Sequence, residues 1–256
     1  LARVGTHLKL QKMQKELHEL NAAKDRLFSI IAHDLKNPFT GILSLVDFLV
    51  RSVRELEIDE IEDCLNGLST TFNNAYTLLE NLLHWARSQT GRIDWKPRPI
   101  GLRGIVLQNV QLLKEKAEEK EVCIDCEIPE QTRAYADEDM VNVVMRNLLT
   151  NALKYTHKGG RIRIHSTEKN GHLELCVSDT GIGMTREETE KLFRMDSSLS
   201  NVGTNGEKGT GLGLILCKDL IEKNGGSIWV ESRIGEGSDF KFTLRKHEDE
   251  SYEEKP

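Results

Sequence analysis

A histidine on the exposed flank of a predicted helix is the first group that could take part in chemistry. His33 lies one position before Asp34, which occupies a seam position of a heptad pattern, so its imidazole is expected to be open to water. An exposed imidazole is a nucleophile, and the Asp34 carboxylate could orient or deprotonate the ring. Asn37 lies one turn further on, and Pro38 is expected to kink or loosen the helix beside the histidine. A lone histidine would be an ordinary surface residue, whereas this combination favours a special role.

A second group of polar residues shares one face of a predicted helix near the middle of the chain. Helical spacing places Asn147, Asn151 and Lys154 together. Two amide oxygens could hold a hard cation there, and one ammonium group could meet a phosphate. A solvated polar face would have the same spacing, so the motif alone leaves both interpretations open.

Two glycine-rich motifs follow. Asp179 ends a predicted strand and precedes Gly181 and Gly183, a pattern that offers a carboxylate acceptor and backbone that a flat ligand can approach closely. The second motif runs from Gly209 to Gly213 and opens a predicted helix, where free N–H groups at the positive end of the helix dipole suit phosphate. Alone, either motif would also fit a plain turn.

The first ninety residues contain two long amphipathic segments that would position His33. Apolar residues recur at heptad spacing from Leu8 to Ile31 and again from Ile61 to Ala86, and the polar stretch 51–57 joins the segments into an antiparallel hairpin. Two helices cannot bury both apolar stripes by themselves, so the pattern predicts a four-helix bundle made from two chains. We therefore expect a homodimer.

The later residues alternate between helical and strand patterns beyond a proline-containing stretch, 92–100, that predicts a linker. Helices are expected at about 102–120, 138–154, 185–193 and 211–224, and strands at 122–128, 161–166, 172–178, 227–231 and 240–244. This mixed order predicts a layered α/β sandwich. Asn170-Gly171 and the Gly235–Gly237 segment are typical of hairpin turns, and 197–206 is expected to be a mobile loop.

The composition excludes several classes of partner. The 256 residues include 35 Lys and Arg against 41 Asp and Glu, a net charge of −6, which argues against nucleic acid and anionic lipid surfaces. No apolar run approaches the roughly 20 residues that span a bilayer, so we expect no membrane contact by this fragment. Five scattered cysteines indicate a reducing, cytoplasmic compartment. The chain starts at Leu1 and is expected to be a piece of a longer protein, and whether that protein is membrane-anchored through its N-terminal part stays open.

Taken together and in order, the motifs resemble the catalytic core of a two-component sensor histidine kinase. The resemblance covers residues from about Asn21 to Leu244. Its phosphoacceptor box is His33-Asp-Leu-Lys-Asn37-Pro38, its asparagine box is 147–156, its glycine boxes are 179–184 and 209–214, and its phenylalanine box is Leu192-Phe193.

The resemblance implies a multidomain fold: an all-α helical hairpin that forms a dimeric four-helix bundle, followed by an α/β sandwich of the GHKL (Bergerat) ATP-binding type. We expect a signalling coiled-coil helix at 1–20, a dimerisation and histidine phosphotransfer domain at 21–91, a linker at 92–100, a catalytic ATP-binding domain at 101–246 and a disordered acidic tail at 247–256.

The same resemblance implies roles for single residues. His33 would attack the γ-phosphate of ATP, Asp34 would act as general base, and Asn37 would position a water molecule for a phosphatase reaction. Asn151 and Asn147 would hold Mg²⁺, with Lys154 and Tyr155 beside the nucleotide. Asp179 would accept the adenine amino group, and Gly181 and Gly183 would admit the base. The remaining ATP-binding residues would be Lys208, Gly209, Thr210, Gly211, Leu212 and Gly213.

The implied partners are a response regulator receiver domain, whose aspartate would receive the phosphoryl group, and an upstream sensor domain in the full-length chain. Related ATPases that hydrolyse ATP carry a glutamate where this chain has Asn147, so hydrolysis by this domain alone is expected to be slow. No Gly-x-x-x-x-Gly-Lys-Ser/Thr sequence occurs, which excludes a P-loop. The alternative is a non-catalytic, nucleotide-binding, dimeric signalling scaffold.

Overall fold

The computed structural model describes residues 13–14, 35–89, 95–193, 203–204 and 212–247. The predictions for the heptads from Leu8 to Ile31, apart from residues 13–14, for most of the 197–206 loop and for the acidic tail after His247 lie outside these residues. The chain divides into two compact units, and the division falls between His84 and Trp85. Within the described ranges, no helix combines the length and the apolar composition needed to cross a bilayer.

The first unit is a helical hairpin. Residues 35–52 are helical (α1), residues 53–57 form the connection, and α2 spans Ile58–Gln89. A Cβ atom at Gly41 would lie 3.9 Å from Thr71 Cγ2, and one at Gly67 would lie 3.9 Å from Leu45 Cδ1. Earlier residues of α1 therefore meet later residues of α2, which confirms the predicted antiparallel hairpin.

The second unit is an α/β sandwich. Its elements in chain order are β1 (Arg98–Gly101), α3 (Leu102–Glu119), β2 (Cys123–Cys126), β3 (Arg133–Ala136), α4 (Glu138–Tyr155), β4 (Arg161–Lys169), β5 (His172–Asp179), α5 (Arg186–Lys191), α6 (Leu212–Lys223), β6 (Ile228–Arg233) and β7 (Gly237–Arg245). Five strands form one sheet in the order β2-β4-β5-β7-β6. β2 and β4 are parallel, and the other neighbours are antiparallel.

The sheet and the helices form two layers with the core between them. α3 contacts β2, α4 contacts β5, and α6 contacts β6 and β7, while α4 packs against both other helices. Alternate residues of the central strands are fully buried, as Leu175, Val177 and Phe242 illustrate. This alternation matches the two-residue period of a strand, and it places the last residue of β5, Asp179, on the same face as Leu175 and Val177.

The predicted elements of the second unit are largely confirmed, and two strands were missed. The four helices and five strands of the sandwich lie within about three residues of their expected positions. Asn170 and Gly171 have φ angles of 53° and 73°, as the predicted hairpin turn requires. β1 and β3 pair antiparallel, with Arg98 opposite Ala136, in a small sheet that the sequence did not predict. β1 also falls mostly within the stretch expected to be linker.

Candidate functional site

The centre of the site is Asp179, whose side chain is buried at the carboxyl end of β5. Its Oδ1 accepts a hydrogen bond of 2.8 Å from the backbone N–H of Gly181. The backbone N–H of Ser238, its register partner on β7, donates a second hydrogen bond. Burial raises the pKa of the Asp179 carboxyl to about 6, the two backbone donors oppose the rise, and nearby Asp239 adds to it. The carboxylate is thus a desolvated acceptor held rigidly by main-chain donors.

Glycines surround Asp179 because the backbone segments approach too closely for a side chain. A Cβ atom at Gly181 would lie 2.4 Å from the Tyr155 carbonyl oxygen, and one at Gly183, where φ is +64°, would lie 1.8 Å from the Arg233 carbonyl oxygen. Gly237, with φ at +100°, would place a Cβ atom 1.8 Å from the carbonyl oxygen of Asp179 itself. The ends of α4, β5 and the β6–β7 hairpin therefore converge here, and the two glycines predicted from the motif are both required.

The asparagine face of α4 lies beside this convergence. α4 begins at an N-cap, Asp137, whose side chain accepts a hydrogen bond from the Met140 N–H, and it buries its apolar face against the sheet. Asn147 Nδ2 donates to the Val143 carbonyl (2.9 Å), and a Cβ atom at Gly213 would lie only 2.5 Å from Asn147 Oδ1. Gly213 thus lets the start of α6 rest on the amide of Asn147.

Asn151 is the better placed of the two asparagines for binding a cation. It lies one turn after Asn147 and is half-buried, and none of the hydrogen bonds between described residues uses its side-chain amide. Its amide oxygen is a hard donor of the kind that Mg²⁺ prefers. The Asn151 amide could therefore serve as one ligand of a Mg²⁺ ion, while the Asn147 amide already contacts Gly213 and Val143.

The last two residues of α4 contact each other. Lys154 Nζ donates to the Tyr155 hydroxyl (3.0 Å) and lies 4.6 Å from the centre of its ring. The Tyr155 carbonyl oxygen accepts from the N–H of Ile182, which ties the end of α4 to the glycine segment after Asp179. The structure thus brings Tyr155, Asp179, Gly181 and Gly183 together at one end of the sandwich, with Lys154 against Tyr155. Asn151 and Asn147 lie one and two turns earlier on α4, where Asn147 meets Gly213.

Other predicted site residues are not placed. His33, Asp34, Lys208, Gly209, Thr210 and Gly211 lie outside the described residues, and only the backbone of Leu212 is described, as the first residue of α6. Asn37 is exposed on α1. Their roles stay predictions.

Both units match known families. Residues 23–91 match the His Kinase A (phospho-acceptor) domain, and residues 136–248 match the histidine kinase-, DNA gyrase B-, and HSP90-like ATPase family. The chain belongs to the two-component histidine kinases. It contains the catalytic core of that family, and the fold expected from the motifs, a helical hairpin followed by an α/β sandwich, is confirmed.

Relatives and solved structures of histidine kinases agree with this assignment. The adaptive-response sensory kinase SasA of Thermosynechococcus vestitus is 31% identical over 242 residues, which cover 92% of this chain and 63% of that protein. The histidine kinase AdeS of Acinetobacter baumannii shares the fold with a TM-score of 0.66 at 18% identity, over 84% of this chain and 98% of that one. The histidine kinase ThkA, in a structure with the response regulator protein TrrA, has a TM-score of 0.64 at 24% identity, over 85% of this chain and 60% of that one. The chain spans less than two thirds of the length of the first curated relatives, 61% to 65%.

Sequence reasoning missed several residues that build this candidate site. Gly237 was regarded as part of a turn and Ser238 was not singled out, yet they form the wall behind Asp179. Lys120 and Thr204 bind the end of α4 and were not singled out at all. Gly237 could have been found from the motif Gly-x-Gly ahead of a strand, whereas nothing local distinguishes Lys120 from the charged residues before it.

Proposed function

We propose that this chain autophosphorylates His33 from ATP and then transfers the phosphoryl group to an aspartate of a response regulator. A ring nitrogen of His33 attacks the γ-phosphorus, the bond between that phosphorus and the bridging oxygen of the β-phosphate breaks, and ADP leaves. In the second step a carboxylate oxygen of the regulator attacks the same phosphorus, and the imidazole leaves. Asp34 orients the ring and accepts its proton.

The single observation that carries the proposal is the buried Asp179 carboxylate with its wall of glycines. A desolvated acceptor beside closely packed main chain suits the amino group and the flat face of adenine. A plain structural aspartate would not need three glycines that cannot carry a Cβ atom. Asn151, one helical turn before Tyr155 on α4, would hold Mg²⁺ through its amide oxygen, with Asn147 as the second predicted ligand. The ion would neutralise phosphate charge.

We infer that the partner of the hairpin is a second copy of this chain. α1 and α2 each carry an apolar stripe at heptad spacing, and the residues of these stripes are 40% to 73% exposed. The stripes are Phe39, Leu43, Val46 and Val50 on α1, with Val53 just after its end, and Ile58, Leu65, Phe72, Tyr76, Leu79 and Leu83 on α2. Two matching stripes on one hairpin suit a symmetric four-helix bundle, since each hairpin covers what the other exposes.

A response regulator receiver domain is the proposed acceptor, in keeping with the partner of ThkA, and an upstream sensor domain is proposed to control the core. The cytoplasmic location expected from the sequence fits the five cysteines, all of which are unpaired. Asn37 remains the candidate for positioning water in a phosphatase reaction.

The test is incubation with γ-labelled ATP and Mg²⁺, followed by assay for label on the protein that is labile to acid and stable to base. Wild type is compared with His33→Gln and with His172→Gln, a control histidine that is exposed at the start of β5. We expect label on the wild type and the control and none on His33→Gln. Nucleotide binding without label on the wild type would instead favour the non-catalytic scaffold.

A further inference from the structure

The last turn of α4 leaves no carbonyl without a donor. The final carbonyl groups of a helix have no partner within the helix, so they need donors from elsewhere. Here the Ala152 oxygen accepts from the N–H and the hydroxyl of Thr156, and the Tyr155 oxygen accepts from Ile182 N–H. The two carbonyls between them, of Leu153 and Lys154, are bound by residues from outside the helix and its continuation.

One of these residues is a buried lysine. Lys120 follows α3, is only 5% exposed, and directs its ammonium group at the end of α4. Its Nζ donates to the carbonyl oxygens of Leu153 (2.7 Å) and Lys154 (3.0 Å). A positive charge at the carboxyl end of a helix is favourable. Because the Lys120 ammonium group is buried, losing the hydrogen bonds that it donates would be costly.

The other residue comes from the connection between α5 and α6. Thr204 donates its backbone N–H to the Lys154 carbonyl oxygen (3.1 Å), and its hydroxyl lies 3.0 Å from the carbonyl oxygens of both Lys154 and Thr156. Lys120 and Thr204 therefore meet on one atom, the carbonyl oxygen of Lys154, which we call the Lys154 junction.

A second attachment to α4 lies at the start of α6. Gly213, at the start of α6, rests on the amide of Asn147. Asn147 and Lys154 are seven residues apart, so the two attachments lie two helical turns, about 10 Å, from each other along α4. Asn151 lies between them, and none of the hydrogen bonds between described residues uses its side-chain amide.

We propose that Lys120 and Thr204 are positioning residues for the nucleotide site. At the Lys154 junction they hold the end of α4 and residues 203–204 at a set spacing, so that Asn151 faces the nucleotide phosphates between the two attachments. This inference rests on the proposed function, because it assigns the two residues to ATP binding. It predicts that loss of the junction weakens the hold on phosphates more than the hold on adenine, which is bound at Asp179.

The test compares Thr204→Val with Thr204→Ser in the whole chain. Valine keeps the shape of threonine and loses the hydroxyl, whereas serine keeps the hydroxyl. The matched control is Thr167→Val on β4, an exposed threonine. Affinities for AMP-PNP with Mg²⁺ and for adenosine are measured by displacement of a fluorescent adenine nucleotide. Thermal unfolding of each variant is recorded as well.

We expect Thr204→Val to weaken AMP-PNP binding about 3- to 10-fold, the range for one lost hydrogen bond, and to change adenosine binding less than about 2-fold. Thr204→Ser and Thr167→Val should match the wild type. Lys120→Met should show the same selective loss of AMP-PNP binding. The ratio of the AMP-PNP and adenosine affinities is compared because an unfolded fraction in the sample does not change it. Should Lys120→Met not fold, the Thr204 pair decides.

The outcomes separate this inference from the function on which it rests. A Thr204→Val variant with a lower unfolding temperature and an unchanged ratio of affinities would show a purely structural role and overturn the inference, as would equal losses for both ligands. Wild-type protein that binds neither ligand would overturn the proposed function, and this inference with it.

Discussion

Replacing Asp179 by asparagine should stabilise the nucleotide-free protein while it removes the acceptor for adenine. The carboxylate is buried, and burial raises its pKa from an ordinary 3.8 to about 6. Asparagine has the same shape and keeps an oxygen that can accept the Gly181 N–H, but it carries no charge. The substitution therefore removes the cost of burying an ionised group at neutral pH.

The size and the pH dependence of this effect follow from the two pKa values. Between pH 3.8 and about 6 the native state keeps a proton that the unfolded chain has released, so the free energy of unfolding falls as the pH rises through that range. Above about pH 6 both states are ionised and the effect is constant. A difference of roughly two pKa units corresponds to about 3 kcal/mol, which is the upper limit of the gain for Asp179→Asn at pH 7.5. At pH 3.5 the gain should vanish.

Urea unfolding followed by tryptophan fluorescence can measure this gain in the second unit, because two of the three tryptophans, Trp95 and Trp229, belong to the sandwich. The control is Asp139→Asn, an exposed aspartate in the first turn of α4, which should lose at most about 1 kcal/mol. The reasoning is refuted if Asp179→Asn is less stable than the wild type at pH 7.5, or if its gain is the same at pH 3.5 and pH 7.5. Binding of AMP-PNP should fall sharply in the same variant.

Three further predictions test the rest of the site and the bundle. Gly237→Ala should lower the free energy of unfolding by about 2–5 kcal/mol, because its Cβ atom would overlap the Asp179 carbonyl at a positive φ. The control is Gly225→Ala, which has a positive φ and open space around it and should cost about 1–2 kcal/mol. Equal costs in urea unfolding would contradict the close approach at Gly237. Leu65→Glu should convert a dimer into monomers in sedimentation analysis, and Leu112→Glu, which changes an exposed leucine of the second unit, should not. Asn151→Ala should weaken AMP-PNP binding about tenfold or more with Mg²⁺ and much less in EDTA, and an equal loss in both would argue against a cation at Asn151.

The sequence was sufficient to predict those parts of the fold that depend on local patterns. The helices of the sandwich have a 3.6-residue period, the strands alternate, and Asn170-Gly171 adopts the positive φ angles that its hairpin requires. β1 and β3 were missed because each has only four residues, and their pairing joins positions about 35 residues apart. Pro99 within β1 also argued for a linker, although proline is tolerated in an edge strand.

The candidate site was predictable residue by residue where a motif carried it, and not where tertiary contacts built it. Asp179, Gly181 and Gly183 follow from one short motif, and the structure shows the close approaches that require the two glycines. Lys120 could not be found in this way, because a lysine after a charged helix predicts exposure. Only the packing of α3 against α4 buries it and directs its ammonium group at the Leu153 and Lys154 carbonyls.

Several of the places where local rules fail lie at one end of the second unit, and they support the site independently of any motif. A buried aspartate and a buried lysine are both unfavourable by composition alone, and each lies where β5 or α4 ends. Between them, Gly181 and Gly237 hold backbone segments together so closely that a methyl group would not fit. Natural chains tolerate such conflicts mainly where function needs them, because each lowers stability without improving the core. Stabilisation by Asp179→Asn at the expense of nucleotide binding is therefore the result that this arrangement requires.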